Sequence, residues 1–132
     1  TVYEAGDGQQ ILPGHVYIAP GNRHMMIERS GARYICRLSD GPPVNRHRPA
    51  VDVMFRSVAQ NVGPNAIGII LTGMGADGRE GSLECKQGGS TLWSQDADSW
   101  VVYGMPAAVA DAGLSDYILP LSEIGPSLAQ AV

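Results

Sequence analysis

The segment Ala66-Ile67-Gly68-Ile69-Ile70-Leu71-Thr72-Gly73-Met74-Gly75-Ala76-Asp77-Gly78 sets two patterns end to end. Ala66 to Leu71 is a short apolar run without alternation, which suits a strand buried on both faces of a parallel sheet. Thr72 to Gly78 is a glycine-rich loop, and Gly78 to Gly88 reads as a helix with Leu83 and Cys85 turned inward. In open α/β sheets, ligands gather at the carboxyl ends of strands, where glycines let backbone N–H groups approach a bound atom. The helix N-terminus that follows adds partial positive charge at the same place.

The same grammar extends in both directions. Upstream, Ala50 to Val62 carries Val51, Met54, Phe55, Val58 and Val62 on one helical face. Pro49 suits its first turn, and Gly63-Pro64-Asn65 closes it. Downstream, Ser90 to Ser94 reads as a strand in a third layer, and Met105 to Ala112 as a helix. Tyr117 to Leu119 reads as a short strand, and Ser122 as the cap of a last helix through Glu123, Ile124 and Leu128. The first 40 residues differ, being β in character. Val16 to Ala19 forms one strand between Pro-Gly signals, and Met25–Glu28 with Tyr34–Leu38 flank a hairpin turn at Arg29-Ser30-Gly31-Ala32. Asp40-Gly41-Pro42-Pro43 ends that region, because two prolines cannot join a central ladder. Helix–strand alternation implies an α/β fold with a mostly parallel sheet, to which the hairpin is an insertion. The chain opens on hairpin material with no evident first βαβ unit, so the expectation is a doubly wound fold lacking its N-terminal βαβ portion. Such a sheet would leave an unpaired strand edge, a route to self-association.

With 132 residues, 44% of them hydrophobic and 17% charged, the chain is expected to be one globular domain. No apolar run approaches the roughly 20 residues a membrane helix needs, and the N-terminus has no signal-peptide pattern. Cys36 and Cys85 lack metal-ligand spacing and read as reduced structural thiols of a cytoplasmic protein. No metal or cofactor is expected. The net charge of −4 argues against nucleic acid as the main partner. Its distribution is uneven: residues 23–56 carry +4 and the rest −8. That basic stretch is either a solvated face or a surface for an acidic protein partner.

From spacing alone the glycine loop stays ambiguous. It is a poor phosphate cradle, having no Gly-Lys-Ser/Thr ending, and Gly73-x-Gly75-x-x-Gly78 is only a lone echo of the dinucleotide fingerprint. Two readings remain. One is a tight turn with Asp77 as a helix cap; the other makes Asp77 a catalytic carboxylate that orients a histidine beside an oxyanion.

Three blocks bear on that choice: Leu12-Pro13-Gly14-His15-Val16-Tyr17-Ile18-Ala19-Pro20-Gly21-Asn22-Arg23-His24-Met25, Asp40-Gly41-Pro42-Pro43-Val44-Asn45-Arg46-His47-Arg48-Pro49-Ala50-Val51-Asp52 and Leu71-Thr72-Gly73-Met74-Gly75-Ala76-Asp77-Gly78. Together with Val102-Tyr103-Gly104-Met105-Pro106, they resemble, in order, the catalytic domain of the bacterial chemotaxis protein-glutamate methylesterases. The resemblance implies a doubly wound α/β fold and hydrolysis of γ-glutamyl methyl esters on methyl-accepting chemotaxis receptors, with deamidation of receptor glutamines in many members. It implies a Ser-His-Asp triad whose aspartate falls on Asp77, with Met74 and Gly75 in the loop beside the oxyanion. The family's serine lies in a Ser-Thr-Gly-Gly segment and its histidine in a Gln-His-Met-like segment, both preceding Thr1. The expectation is therefore a partial catalytic domain over 1–132, inactive alone, with no receiver domain in this stretch and with the missing N-terminal part of the catalytic domain and the receiver domain as its partners. His15, His24 and His47 match none of the triad positions; His47 and Arg48, with His24 and Arg46, are candidates for a substrate cleft. Trp93, Trp100 and Tyr103 read as core or cleft wall. The competing reading is a non-catalytic receptor-interaction or phosphate-binding module on the same fold.

Overall fold

A computed structural model describes residues 1–71, 76–96 and 104–131. Strands β1 (Val2–Glu4) and β2 (Val16–Ile18) pair in parallel, and β3 (His24–Ser30) and β4 (Arg33–Ser39) form an antiparallel hairpin. Helix α1 (Val51–Asn61) and a 3-10 turn at Gly63–Asn65 lead into β5 (Ile67–Ile70). Then follow α2 (Arg79–Gln87), β6 (Thr91–Gln95), α3 (Met105–Asp111), β7 (Tyr117–Leu119) and α4 (Leu121–Ala131). Strands β5, β6 and β7 make a parallel sheet in that order, with Ile69 opposite Trp93 and Trp93 opposite Tyr117. The α/β class, the hairpin and the parallel sheet follow the sequence reading.

The hairpin closes in two residues, Gly31 and Ala32, with Ser30 paired to Arg33. Gly31 takes φ +63°, the positive value that a II′ turn needs at its first position. Residues 7–11 run beside β4: Gly8 N–H donates to Cys36 O, Cys36 N–H to Gln9 O and Ile11 N–H to Tyr34 O. Asp7 accepts from Leu38 N–H and from Arg37, and the Leu38 bond first, then the guanidinium, holds its carboxyl below the usual range.

Helix α1 lies between hairpin and sheet, packing on β3 and on α2. One core gathers Ala5, Met25, Cys36 and Leu38; the other gathers Phe55, Ile70, Cys85, Leu92, Val109 and Leu114. Met54 of α1 touches both, so this helix ties the two cores together. Burial pushes both thiols up, and neither forms a disulfide.

Several local expectations are corrected. Strand β5 is not buried on both faces: only Ile70 is fully buried, and Leu71 beyond it is exposed. Within the described residues it is a sheet edge, which explains its half-wet surface. β6 is the middle strand of the same sheet rather than a third layer. Leu83 points outward; α2 buries Gly81, Ser82 and Cys85 instead, because α1 comes so close that a Cβ at Gly81 would lie 2.7 Å from Phe55 Cβ. Pro49 lies outside α1, which it precedes through a cis Arg48–Pro49 bond, with Ala50 as N-cap. Ser122 is inside α4, which begins at Leu121. Strand β1 has no counterpart in the sequence reading.

Candidate active site

Asp77 follows β5 and precedes α2, and it is buried, with 6% of its surface exposed. It does not cap its own helix. The N-cap of α2 is Gly78, at φ +104°, and it has no side-chain cap. Asp77 instead reaches the N-terminus of α1: Oδ2 accepts from Val51 N–H at 2.7 Å and Oδ1 from Asp52 N–H at 3.0 Å. Ala50, the local N-cap of α1, offers no side-chain acceptor, so these orphan N–H groups need one from elsewhere.

Asp52 returns the arrangement. Its Oδ1 accepts from Gly78 N–H at 2.9 Å and Gly81 N–H at 2.8 Å, the first turn of α2. Each of two adjacent helices is thus capped by an aspartate at the start of the other, and each carboxylate sits at a positive helix end. Asn45 joins them: its Nδ2 donates to Asp52 Oδ2 at 2.6 Å and to Asp77 Oδ1 at 3.1 Å. Asn45 stands in a two-residue turn with Arg46, φ +53° and +65°, closed by reciprocal Val44–His47 backbone bonds of 2.9 Å. Positive φ at both central residues is the type I′ pattern, in which asparagine is favoured.

A cavity of about 270 Å³ opens over this cluster, lined by Asn45, His47, Asp52, Asp77 and the first residues of α2, Arg79 and Glu80. A larger hollow of about 410 Å³ runs along the β5 edge past Met54, Phe55 and Val58. It is apolar and holds no acid, histidine or basic group, so the smaller cavity is the candidate site. The chemistry available there is that of a fixed, buried carboxylate. Among the described residues three donors reach Asp77, whose two oxygens can accept about four hydrogen bonds. A cation, or an imidazole N–H, is what such a group would hold.

Of the residues proposed from sequence, Asp77 and His47 share this cavity. Arg48 does not line it: its guanidinium donates to Asn22 Oδ1 at 2.8 Å and to the carbonyls of Asp40 and Gly41, stapling two loops. Met74 and Gly75 lie outside the described residues, as do Trp100 and Tyr103. Trp93 is buried, edge-on to Tyr117 at 6.3 Å. His24 is buried and engaged at both ring nitrogens: Nδ1 accepts from Ala50 N–H, so Nε2 carries the proton donated to Pro42 O. It props the start of α1 rather than lining a cleft. His15 stacks on Tyr3, ring centroids 5.7 Å apart. Asp52 and Asn45 were missed by sequence reasoning. Their bonds span 7 to 32 positions, and only asparagine's tolerance of positive φ, between prolines, was a local signal.

Comparison with known proteins bears on identity. The sequence profile of the CheB methylesterase family matches residues 1–128. A protein-glutamate methylesterase/protein-glutamine glutaminase of Hydrogenovibrio crunogenus is 56% identical over 123 residues, 93% of this chain and 33% of that protein. One of Chromohalobacter salexigens is 57% identical over 128 residues, 97% of this chain and 36% of that protein. The chain thus spans about a third of the length of the curated relatives it matches. The crystal structure of the Thermotoga maritima CheB methylesterase catalytic domain superposes with a TM-score of 0.94 at 38% identity, covering 98% of this chain and 68% of that one. With a matching profile over nearly its whole length and a fold that superposes on a solved catalytic domain, the chain belongs to the CheB methylesterase family.

Proposed function

We propose that this chain supplies the carboxylate of a Ser-His-Asp triad in a protein-glutamate methylesterase, with Asp77 as that carboxylate. The observation that carries the proposal is the immobilisation of a buried Asp77 at the α1 N-terminus, beside a cavity it lines. The relatives' names supply the reaction class. Asp77 would accept the Nδ1–H of a histidine, hold its tautomer and stabilise the imidazolium. That histidine's Nε2 would take the proton of a serine hydroxyl as its oxygen attacks the γ-ester carbonyl. Collapse of the oxyanion expels methanol, which takes the proton back, and water then hydrolyses the acyl-serine to a free glutamate. An amide substrate would leave ammonia instead, the glutaminase reaction named for the relatives.

The serine and histidine are proposed to come from sequence outside these 132 residues: His24 is committed to Ala50 and Pro42, His15 lies in the aromatic cluster around Tyr3, and His47, though it lines the cavity, makes no hydrogen bond to Asp77 among the described residues. Met74 and Gly75 are proposed to border the oxyanion. The substrates proposed are glutamyl methyl esters on chemotaxis receptors. The phosphate-binding alternative is weakened by the geometry: the N–H groups of Gly78 and Gly81 at the α2 N-terminus already bind the Asp52 carboxylate. Asp77→Asn in the full-length protein tests the reading, with methanol release from a glutamyl methyl ester as readout. A fall in kcat of about 10⁴-fold is expected, from loss of the correct imidazole tautomer. Retention of wild-type turnover by a folded variant would remove Asp77 from the mechanism and leave it a helix cap.

A further inference from the structure

Asp77 needs more than burial to act as an orienting carboxylate. A carboxylate can rotate about its Cβ–Cγ bond, and an orientation wrong by tens of degrees would misplace the imidazole it holds. The two helix N–H donors fix its axis from one side, Val51 N–H at Oδ2 and Asp52 N–H at Oδ1. The third donor is a side chain. Asn45 Nδ2 reaches Oδ1 while its other hydrogen holds Asp52 Oδ2. Two buried carboxylates that share one amide group repel each other unless a donor stands between them, and the amide is placed to do so.

We propose that Asn45 is a positioning residue for this reaction, acting through Asp77; this rests on the reading of Asp77 as the triad carboxylate. Three observations carry it. The turn that presents Asn45 is held in a left-handed conformation at two successive residues, one of them Arg46, for which that conformation is unfavourable. Strain of this kind persists where surrounding structure over-determines it, and here that structure is the amide clamp and the Val44–His47 bonds. The residue is itself exposed while both acids it holds are buried, so it can contribute little to the core. Its amide also lines the same cavity as Asp77 and His47, within the site rather than behind it.

The test compares variants of the full-length protein on a peptide bearing a glutamate γ-methyl ester, with active sites counted by a serine-directed phosphonate. Asn45→Gly keeps the positive φ and deletes the amide. Asn45→Asp keeps shape and left-handed tolerance but turns a donor toward two carboxylates into an acceptor. Both are expected to lower kcat about 10- to 100-fold per titrated site, the cost of a misplaced catalytic group, with KM within about twofold. Asn45→Asp is expected to be the worse. Wild-type kcat in both Asn45 variants, while Asp77→Asn loses turnover, overturns the positioning role and spares the triad reading. Activity that declines only with the fraction of folded protein, kcat per site being unchanged, assigns Asn45 to the fold and overturns it as well. Full turnover in Asp77→Asn overturns the reading beneath it, and the positioning role with it.

Discussion

Replacing Asp52 by alanine should cost more stability than an aspartate ordinarily contributes. The side chain is 3% exposed and accepts three hydrogen bonds, two of them from backbone N–H groups of α2. Gly78 and Gly81 are both buried, so alanine at 52 strands two buried donors. Each stranded donor costs about 1–3 kcal/mol. Two donors together give about 2–6 kcal/mol, and the adjoining cavity of about 270 Å³ can admit water to one of them, which places the sum toward the lower half of that range. Loss of a cap at a helix N-terminus belongs to the same bonds and is not added again. The expected loss is about 3 kcal/mol, a large part of the roughly 5–15 kcal/mol of a typical domain. Urea unfolding followed by tryptophan fluorescence and far-UV circular dichroism measures it. With a slope of about 1–3 kcal/mol/M the midpoint falls by roughly 1–3 M at unchanged slope. Asp52→Asn keeps one acceptor oxygen but turns an NH₂ toward Asn45 or α2, and should lose about half as much. Because Asp52 and Asp77 cap each other's helices and share Asn45, their alanine substitutions should be non-additive by about 0.5–3 kcal/mol. A loss below about 1 kcal/mol for Asp52→Ala, or strict additivity with Asp77→Ala, would refute the reciprocal cap as a single network.

Two further outcomes follow from the packing and the charges. A Cβ at Gly68 would stand 2.7 Å from Leu92 Cδ2 and 3.3 Å from Phe55 Cε2, both in the core. Gly68→Ala should therefore destabilise by about 1–3 kcal/mol in the same urea assay, although alanine suits a strand better than glycine does. An unchanged midpoint would mean that β5 shifts freely against α1. Asp116 accepts from Lys86 Nζ at 2.6 Å and Leu92 N–H at 2.7 Å, and these two bonds, the lysine's first, hold its carboxyl below the usual range. A lowered folded value stabilises at pH above the unfolded carboxylate value of about 4 and ceases to do so as pH falls through the folded one. The stability difference between wild type and Asp116→Asn should thus be constant near neutrality and shrink below about pH 4. A difference that grows on acidification would show the sign to be wrong.

The elements were legible where a local pattern decides them. The α1 stripe Val51, Met54, Phe55 and Val58 packs against the core as its spacing requires, and the Pro-Gly signals bracket β2. The failures share a cause: each depends on a partner distant in sequence. Leu83 was assigned inward because apolar residues usually face a core, yet α2 meets α1 through Gly81, where no larger residue fits. Strand β1 is three residues long and exists by pairing with β2, fourteen positions on, which no local periodicity signals. The contacts of Arg48, a cleft candidate by resemblance, were equally out of reach of local pattern: they go to Asn22 and to the carbonyls of Asp40 and Gly41.

The candidate site shows the same division more sharply. The glycine loop left Asp77 as either a helix cap or a catalytic group, and the structure shows why the two are not exclusive. Asp77 is a cap, but of α1, and capping across elements leaves the carboxylate facing the cavity instead of folded back on its own helix. With Asp52 at the α2 N-terminus and Asp77 at that of α1, the exchange requires that α1 and α2 begin side by side. That in turn requires the close approach at Gly81. The spacing Asp52–Asp77 and the glycines around it are therefore one device: small residues bring two helix ends together, each end takes the other's acid, and both acids line the cavity between them and Asn45.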